Sequence, residues 1–355
     1  MLIKFFRNSS HGPPCTGASD RPPSLPASFR RAATLLAAQH HGSIAAGPRA
    51  AATAICRARG LAGGAALRRA GPAGAASGVG TGPARAASMT TISLSLDTPE
   101  LAQAYEHGSD RQFNHGKLLI ETLGVRRGQR VLDVGAGTGR LAAHVAEIVG
   151  PEGSVTAIDP LPLRVDIARQ KARANLATAV GRAEDLSAFA SKSFDVVYLN
   201  SVLHWLNEPQ KERAIAEAAR VLKPGGKLGF STGSREKPHQ LEPIQRKVLA
   251  ELGRDAEGNR PHKLTVDEVR ALLERAGFIA DTVEILTFVD HAADVDEILR
   301  HSGSSSFGNH LSHLSPEEKR EVRARLANEL EAFRTPKGLR LERNLIFAIA
   351  HTAGN

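Results

Sequence analysis

Short apolar runs alternating with helical stretches between residues 130 and 231 predict an α/β fold, doubly wound around a mostly parallel sheet. Three observations lead there. Five runs, 130–134, 154–158, 177–180, 194–199 and 227–231, are each followed by a helical stretch, the spacing of parallel βαβ units. The first run, Val131-Leu132-Asp133-Val134, breaks at once into Gly135-Ala136-Gly137-Thr138-Gly139, a glycine turn entering a helix. About 260 residues follow a compositionally distinct leader, enough for one such domain with a lid or insertion.

The elements follow in order. Thr98-Pro99-Glu100 reads as an N-cap, a first-turn proline and a well-placed acid, opening a helix through Leu101, Ala104 and Tyr105. A second helix over 110–123 completes a helical N-terminal cover before the core, 128–232. Leu222-Lys223-Pro224-Gly225-Gly226 reads as a turn that stops one helix, reverses the chain and enters the fifth strand. Thr265 with Glu268 forms a capping box for a helix over 266–276. Two more strands are predicted at 278–288 and 344–351, which makes seven. The segment between them, 289–343, is too long for a hairpin loop, and it carries a second capping box at Ser315-Pro316-Glu317-Glu318 with a helix to about Phe333. It is expected to be a helical insertion covering something.

Charge and cysteine placement remove several function classes. The chain of 355 residues has 46 Lys and Arg against 37 Asp and Glu, but residues 1–96 hold eleven bases and one acid. Subtraction leaves 35 bases and 36 acids in residues 97–355, so the folded part is nearly neutral. Nucleic-acid recognition needs positive charge on the docking surface itself, and that reading is therefore disfavoured. Both cysteines, Cys15 and Cys56, fall in the leader, which takes disulfides, cysteine-based zinc sites and cysteine nucleophiles out of the domain. No apolar run reaches the length of a spanning helix, and the histidines show no H-E-x-x-H spacing.

Residues 1–88 contain 23 Ala and 12 Gly with scattered Arg, too little side chain to bury a core. Such a leader resembles an organelle transit peptide, mitochondrial or plastid. A disordered tail is the alternative, as is an upstream extension of a cytoplasmic protein beginning at Met89. The domain proper is expected over 97–355.

A dinucleotide fingerprint would need its third glycine at position 140, which is Arg140, so the spacing departs from a typical NAD site. The spacing G-x-G-x-G after an Asp-bearing strand resembles motif I of the class I S-adenosylmethionine-dependent methyltransferases of small-molecule type. The resemblance covers residues 131 to 231. Asp159 closes the strand Val155-Thr156-Ala157-Ile158-Asp159, twenty residues after Gly139, where the family places the carboxylate that accepts both ribose hydroxyls. An acid at a strand's carboxyl end suits a diol; the plainer reading is a helix N-cap. Gly181-Arg182-Ala183-Glu184-Asp185-Leu186 stands where the family contacts adenine, with Arg182 in place of its usual Asp. That leaves the Ala183 amide, with Glu184 or Asp185 substituting. Phe194-Asp195-Val196-Val197-Tyr198-Leu199-Asn200 matches the fourth strand.

The resemblance implies a seven-stranded sheet whose last strand is antiparallel, and S-adenosylmethionine as cofactor. Its methionine end would lie against Gly135, Gly137 and Gly139, its ribose on Asp159 and its adenine near Ala183 and Glu184. Asn200 would join the cofactor site, and Asp133 would order the glycine turn or meet the methionyl ammonium. Tyr105 either closes over the cofactor or packs on the cover. The implied reaction is in-line displacement of the sulfonium methyl by a small-molecule acceptor, with no metal. A non-catalytic S-adenosylmethionine-binding protein and a Rossmann oxidoreductase are the competing classes. His204, in Asn200-Ser201-Val202-Leu203-His204-Trp205, carries two readings: a general base for the acceptor, or a pocket wall with Trp205.

Overall fold

Thr98 Oγ1 accepts the amide of Leu101, and Pro99 opens helix α1 (Pro99–Gly108). Helix α2 (Asp110–Leu123) ends on Gly124 in the left-handed conformation, whose amide satisfies the carbonyls of Ile120 and Glu121. The computed structural model describes residues 92–254 and 260–354. The leader, with Cys15, Cys56 and the targeting signal expected there, lies outside the described residues.

The core alternates as the sequence predicts: β1 (Arg130–Val134), α3 (Arg140–Val149), β2 (Ser154–Asp159), α4 (Pro162–Arg169), β3 (Leu176–Val180), β4 (Phe194–Asn200), α5 (Glu208–Val221) and β5 (Leu222–Gly233). After β5 come α6 (Leu241–Glu251), α7 (Val266–Arg275), β6 (Phe278–Ala292), α8 (Val295–Ser305), α9 (Pro316–Leu330), a two-residue β7 (Arg334–Thr335) and β8 (Gly338–Thr352). The sheet order is β3-β2-β1-β4-β5-β8-β6, with β7 pairing on β8. Strands β1 to β5 are parallel, while β8 runs antiparallel to both β5 and β6. The fold is therefore α/β and doubly wound, with seven main strands and an antiparallel last one.

Both faces of the sheet are buried, and this is why its central strands are apolar without alternation. Leu132, Val134, Val197 and Leu199 point into one core with α5 and α7. Val131, Val196 and Tyr198 point into the other with α2 and α3. The cover has a third core of its own, where Val322, Leu326 and Leu330 of α9 meet Val248 and Leu249 of α6.

Two expectations change. Strands β6 and β8 run on to Ala292 and from Gly338, so the insertion is 293–337 rather than 289–343, because Asp290 with His291 and Arg340 with Glu342 continue the ladder despite their polarity. Helix α6, which the sequence analysis does not place, carries no capping signal: its N-cap residue Gln240 makes no side-chain cap bond. The Pro224-Gly225-Gly226 turn, with Gly225 at φ 70°, lies inside β5 and not ahead of it. Helix gives way to strand at Val221–Leu222, and the ladder to β4 jumps from Leu222 to Lys227, so residues 223–226 loop out as a bulge. No helix of the described residues is long and apolar enough to cross a membrane.

Both capping boxes form: Thr265 with Glu268, and Ser315 with Glu318. Replacing Thr265 by Ala is expected to destabilise the fold by about 1 kcal/mol, the usual value of an N-cap bond. A chemical denaturation midpoint unchanged from that of the parent protein would show that α7 does not depend on its cap.

Candidate functional site

The site begins where β1 ends. Val134 pairs with Ile158 across the β1–β2 ladder, and the chain then turns so that the amides of Gly135 and Ala136 both donate to the Ile158 carbonyl, at 2.8 and 2.9 Å. Gly135, Gly137 and Gly139 all have positive φ. At Gly137 (φ 55°) a side chain would also meet the Tyr105 ring at 3.1 Å, and at Gly135 (φ 78°) it would strike Val202 at 2.3 Å. Gly139 backs onto Ala168 of α4 and serves helix packing.

Asp159 sits beneath this turn. Its Oδ2 accepts the Gly137 amide at 2.8 Å and its Oδ1 the Leu161 amide at 2.9 Å; the N-cap of α4 is Leu161, which has no side-chain cap bond, so Asp159 is not the helix cap. The residue is 6% exposed, and burial raises its carboxyl pKa against the lowering by the Leu161 amide and Arg164. Asp133, 2% exposed, accepts the Tyr198 hydroxyl at 2.7 Å. Burial pushes its pKa up to about 8, the tyrosine bond opposing and Asp159 adding to the shift, so Asp133 is largely a neutral acid at pH 7.

Tyr105 lies over the turn, and the Arg164 guanidinium stacks 4.4 Å above its ring. Arg164 was not anticipated. It is 3% exposed, pairs with Asp97 at 3.0 Å and donates to the Ser304 carbonyl at 2.6 Å, tying the segment before α1 to the end of α8. One signal in the sequence points to it: a cation in the first turn of α4 opposes the helix dipole and needs another reason to be there. The Asn309 side chain makes the same junction by bonding both the amide and the carbonyl of Ser93.

Between α1, α2 and the glycine turn lies a cleft of about 360 Å3, part of it open to solvent, lined by Tyr105, Gln112, Asp133, Gly135, Arg140 and Asn200 among others. Asn200 is held by the Gln112 carbonyl and the Ser231 hydroxyl, whereas Gln112 Oε1 is buried without a partner among the described residues. Tyr105, Asp133, Gly135, Gly137, Asp159 and Asn200 are thus gathered at one place. Ala183 and Glu184 follow β3. The Ala183 side chain belongs to the core, and the Glu184 carboxylate is taken by Arg182 at 2.7 Å and Gln210 at 3.1 Å.

His204 does not have the geometry of a base. Its Nδ1 accepts the Gly233 amide at 3.3 Å, so the ring proton of the neutral form sits on Nε2 and the ring offers a donor. Burial, with Lys263, Lys211 and Arg343 nearby, holds its pKa down at about 3, too low to accept a proton readily near neutrality. The His204 ring lies beside Trp205, and Trp205 meets Phe307 edge-on at 4.9 Å. Phe307, on the loop after α8, was also unforeseen.

A family model described as a methyltransferase domain matches residues 131–226. The chain is 36% identical over 186 residues to the malonyl-[acyl-carrier protein] O-methyltransferase of Geobacter sulfurreducens, covering 51% of this chain and 67% of that one. It is 35% identical over 182 residues to the ubiquinone/menaquinone biosynthesis C-methyltransferase of Shewanella pealeana, covering 46% and 71%. The chain belongs to the class I S-adenosylmethionine-dependent methyltransferases. A putative methyltransferase structure from Bacillus halodurans aligns with a TM-score of 0.47 at 20% identity, over 69% of this chain and 100% of that one. The methyltransferase uses S-adenosylmethionine as its cofactor.

Gly137→Ala places a methyl against Tyr105 at a left-handed position. The methyltransferase carrying it is expected to keep its circular dichroism and to bind S-adenosylhomocysteine at least about 10-fold more weakly, the cost of a strained backbone plus a lost close approach. Native affinity in calorimetry would show that the turn does not approach the cofactor.

Proposed function

We propose that this methyltransferase transfers the methyl group to a small-molecule acceptor by in-line displacement, and that Asp159 carries the cofactor's ribose. Asp159 supports the reading best. A carboxylate at the end of β2, fixed through one amide bond on each oxygen, keeps a lone pair on each for a hydroxyl. The glycine turn gives the close backbone approach that the methionine end requires, since neither Gly135 nor Gly137 has room for a side chain. For the adenine, the Ala183 amide is the group left over: it donates to no described residue, while Glu184 is engaged by Arg182 and Gln210.

When bound, S-adenosylmethionine supplies a methyl group on a sulfonium that is already activated for displacement. The chain's own work is positioning and exclusion of water. Tyr105 and Arg164 close over the ribose side, Asn200 is held rigid by Gln112 and Ser231, and Trp205 with Phe307 presents an apolar wall toward the acceptor. The relatives named above act on oxygen and on carbon, so the acceptor atom is not carried over from them.

Asp159→Ala is expected to weaken S-adenosylhomocysteine binding by about 1.5 to 3 kcal/mol, the range of hydrogen bonds to a charged group, with the fold intact. Unchanged affinity would remove the ribose role.

Asp133 provides a pH test of the methionine end. Its carboxyl, at about 8, holds its proton in the free enzyme at neutral pH, and a methionyl ammonium beside it favours the ionised form. Cofactor binding at pH 6.5 to 7 is therefore expected to release a proton, with affinity rising as pH approaches 8. Calorimetry in buffers of different ionisation enthalpy measures this. Equal proton release from the Asp133→Asn variant would show that Asp133 is not its source.

A further inference from the structure

Helix α2 contributes Gln112 to the lining of the cleft beside the glycine turn, and its side chain has no part in the roles above. The Gln112 backbone carbonyl accepts Asn200 Nδ2–H at 2.9 Å, which sets this turn of α2 against the end of β4. Asp133, Gly135 and Asn200 line the same cleft.

Which way the Gln112 amide points follows from a short chain of bonds. The Gly108 carbonyl can only accept, so His301 Nδ1, 3.2 Å from it, carries the ring proton. Burial, with Arg343 and Arg111 nearby and Asp290 opposing them, holds the His301 pKa down at about 3, so the ring is neutral and its Nε2 presents a lone pair. A lone pair needs donors. Arg343 Nη2 stands 3.5 Å from it, and the Gln112 atom at 3.3 Å must be the amide nitrogen and not the oxygen. Oε1 is thereby fixed as the other end of the amide, a buried acceptor without a partner among the described residues. Such an oxygen costs stability, and a ligand that brings an N–H recovers it.

The other polar groups of the cleft narrow the ligand. Asp133 adds a carboxyl, with its Oδ2 on the Tyr198 hydroxyl, while Asn200 spends its amide on the Gln112 carbonyl and the Ser231 hydroxyl. Arg140 adds a cation to the same lining, held by Asp110 at 2.6 Å and by the Ser109 hydroxyl at 3.1 Å. Acceptors and a cation in one cleft match a zwitterion, the end of an α-amino acid, with its ammonium on the acceptors and its carboxylate toward the cation.

We propose that Gln112 is a cofactor-binding residue whose Oε1 accepts a hydrogen bond from the methionyl ammonium of S-adenosylmethionine, with the amide held in that sense by His301. This rests on the methyltransferase reading of the cleft and adds a residue outside its motifs, on the N-terminal cover and not on the glycine turn. His301 belongs to α8, so one amide joins the amino-acid end of the cofactor to the helix that precedes Phe307.

The test is calorimetric titration of the full chain with S-adenosylhomocysteine and with its desamino analogue, which keeps the carboxylate and lacks the ammonium. Gln112→Leu should weaken S-adenosylhomocysteine binding about 10-fold or more, the loss of a bond to a charged group, and change the affinity of the desamino analogue by less than about 3-fold. His301→Leu, which frees the amide to turn, should lower the preference for S-adenosylhomocysteine in the same sense. Where Gln112→Leu does not fold, Gln112→Met, of similar length, carries the comparison. Unchanged S-adenosylhomocysteine affinity in the Gln112 variant, or an equal loss for both ligands, would overturn the proposal, and a preference indifferent to His301→Leu would overturn the orientation on which it stands. Failure of the parent chain to bind either ligand would strike the cofactor assignment instead, and so be told apart.

Discussion

The bond from the Gly137 amide to the Asp159 carboxylate joins the two strands on which everything else at the site stands. It requires β1 and β2 to be adjacent, parallel and in the register that pairs Val134 with Ile158. It requires a turn that left-handed glycines alone make without strain, because the amides of residues 135 to 137 must all face β2. It also requires Asp159 to be buried, and burial of a carboxylate is tolerable only because the Leu161 amide and Arg164 offset its desolvation. Arg164 in turn is held by Asp97 and stacks on Tyr105, so the cover over the turn depends on the same carboxylate that organises it.

Buried polarity is managed in two ways on the two sides of β4. On the β1 side Asp133 and Asp159 share a small volume, and burial leaves Asp133 mostly protonated at neutral pH, so the like charges do not add. On the β5 side the imidazoles of His204 and His239 are kept neutral beside Lys263 and Arg343. Ser201 takes φ 65° as the chain leaves β4, an unusual conformation for serine, secured by bonds from its amide to the Ser231 carbonyl and hydroxyl.

Much of this was legible in the sequence, and what was not shares a physical cause. Strand β1 and helix α2 fall where the apolar runs and end signals put them, because both are set by local pattern. The gathering of Asp133, Gly135, Gly137 and Asp159 follows from two strands and a turn close together in the chain. Arg164 is far from Asp97 and Ser304 in sequence, and Phe307 far from Trp205, so no local window contains those contacts. The ends of β6 and β8 escaped for the opposite reason: residues such as Asp290 and Arg343 pair with each other across the ladder, and polar side chains there look like loop when each strand is read alone. His204 shows that spacing places a residue without assigning its proton, which the Gly233 amide decides.

The helical cover has a hydrophobic core distinct from the two that flank the sheet. Mutations that reshape α6 or α9 therefore fall on packing separate from the two cores that flank the sheet. Selection can revise this cover while the glycine turn and its carboxylate stay fixed, so a lineage built on this plan can vary one part of the molecule without first relearning how to fold the other.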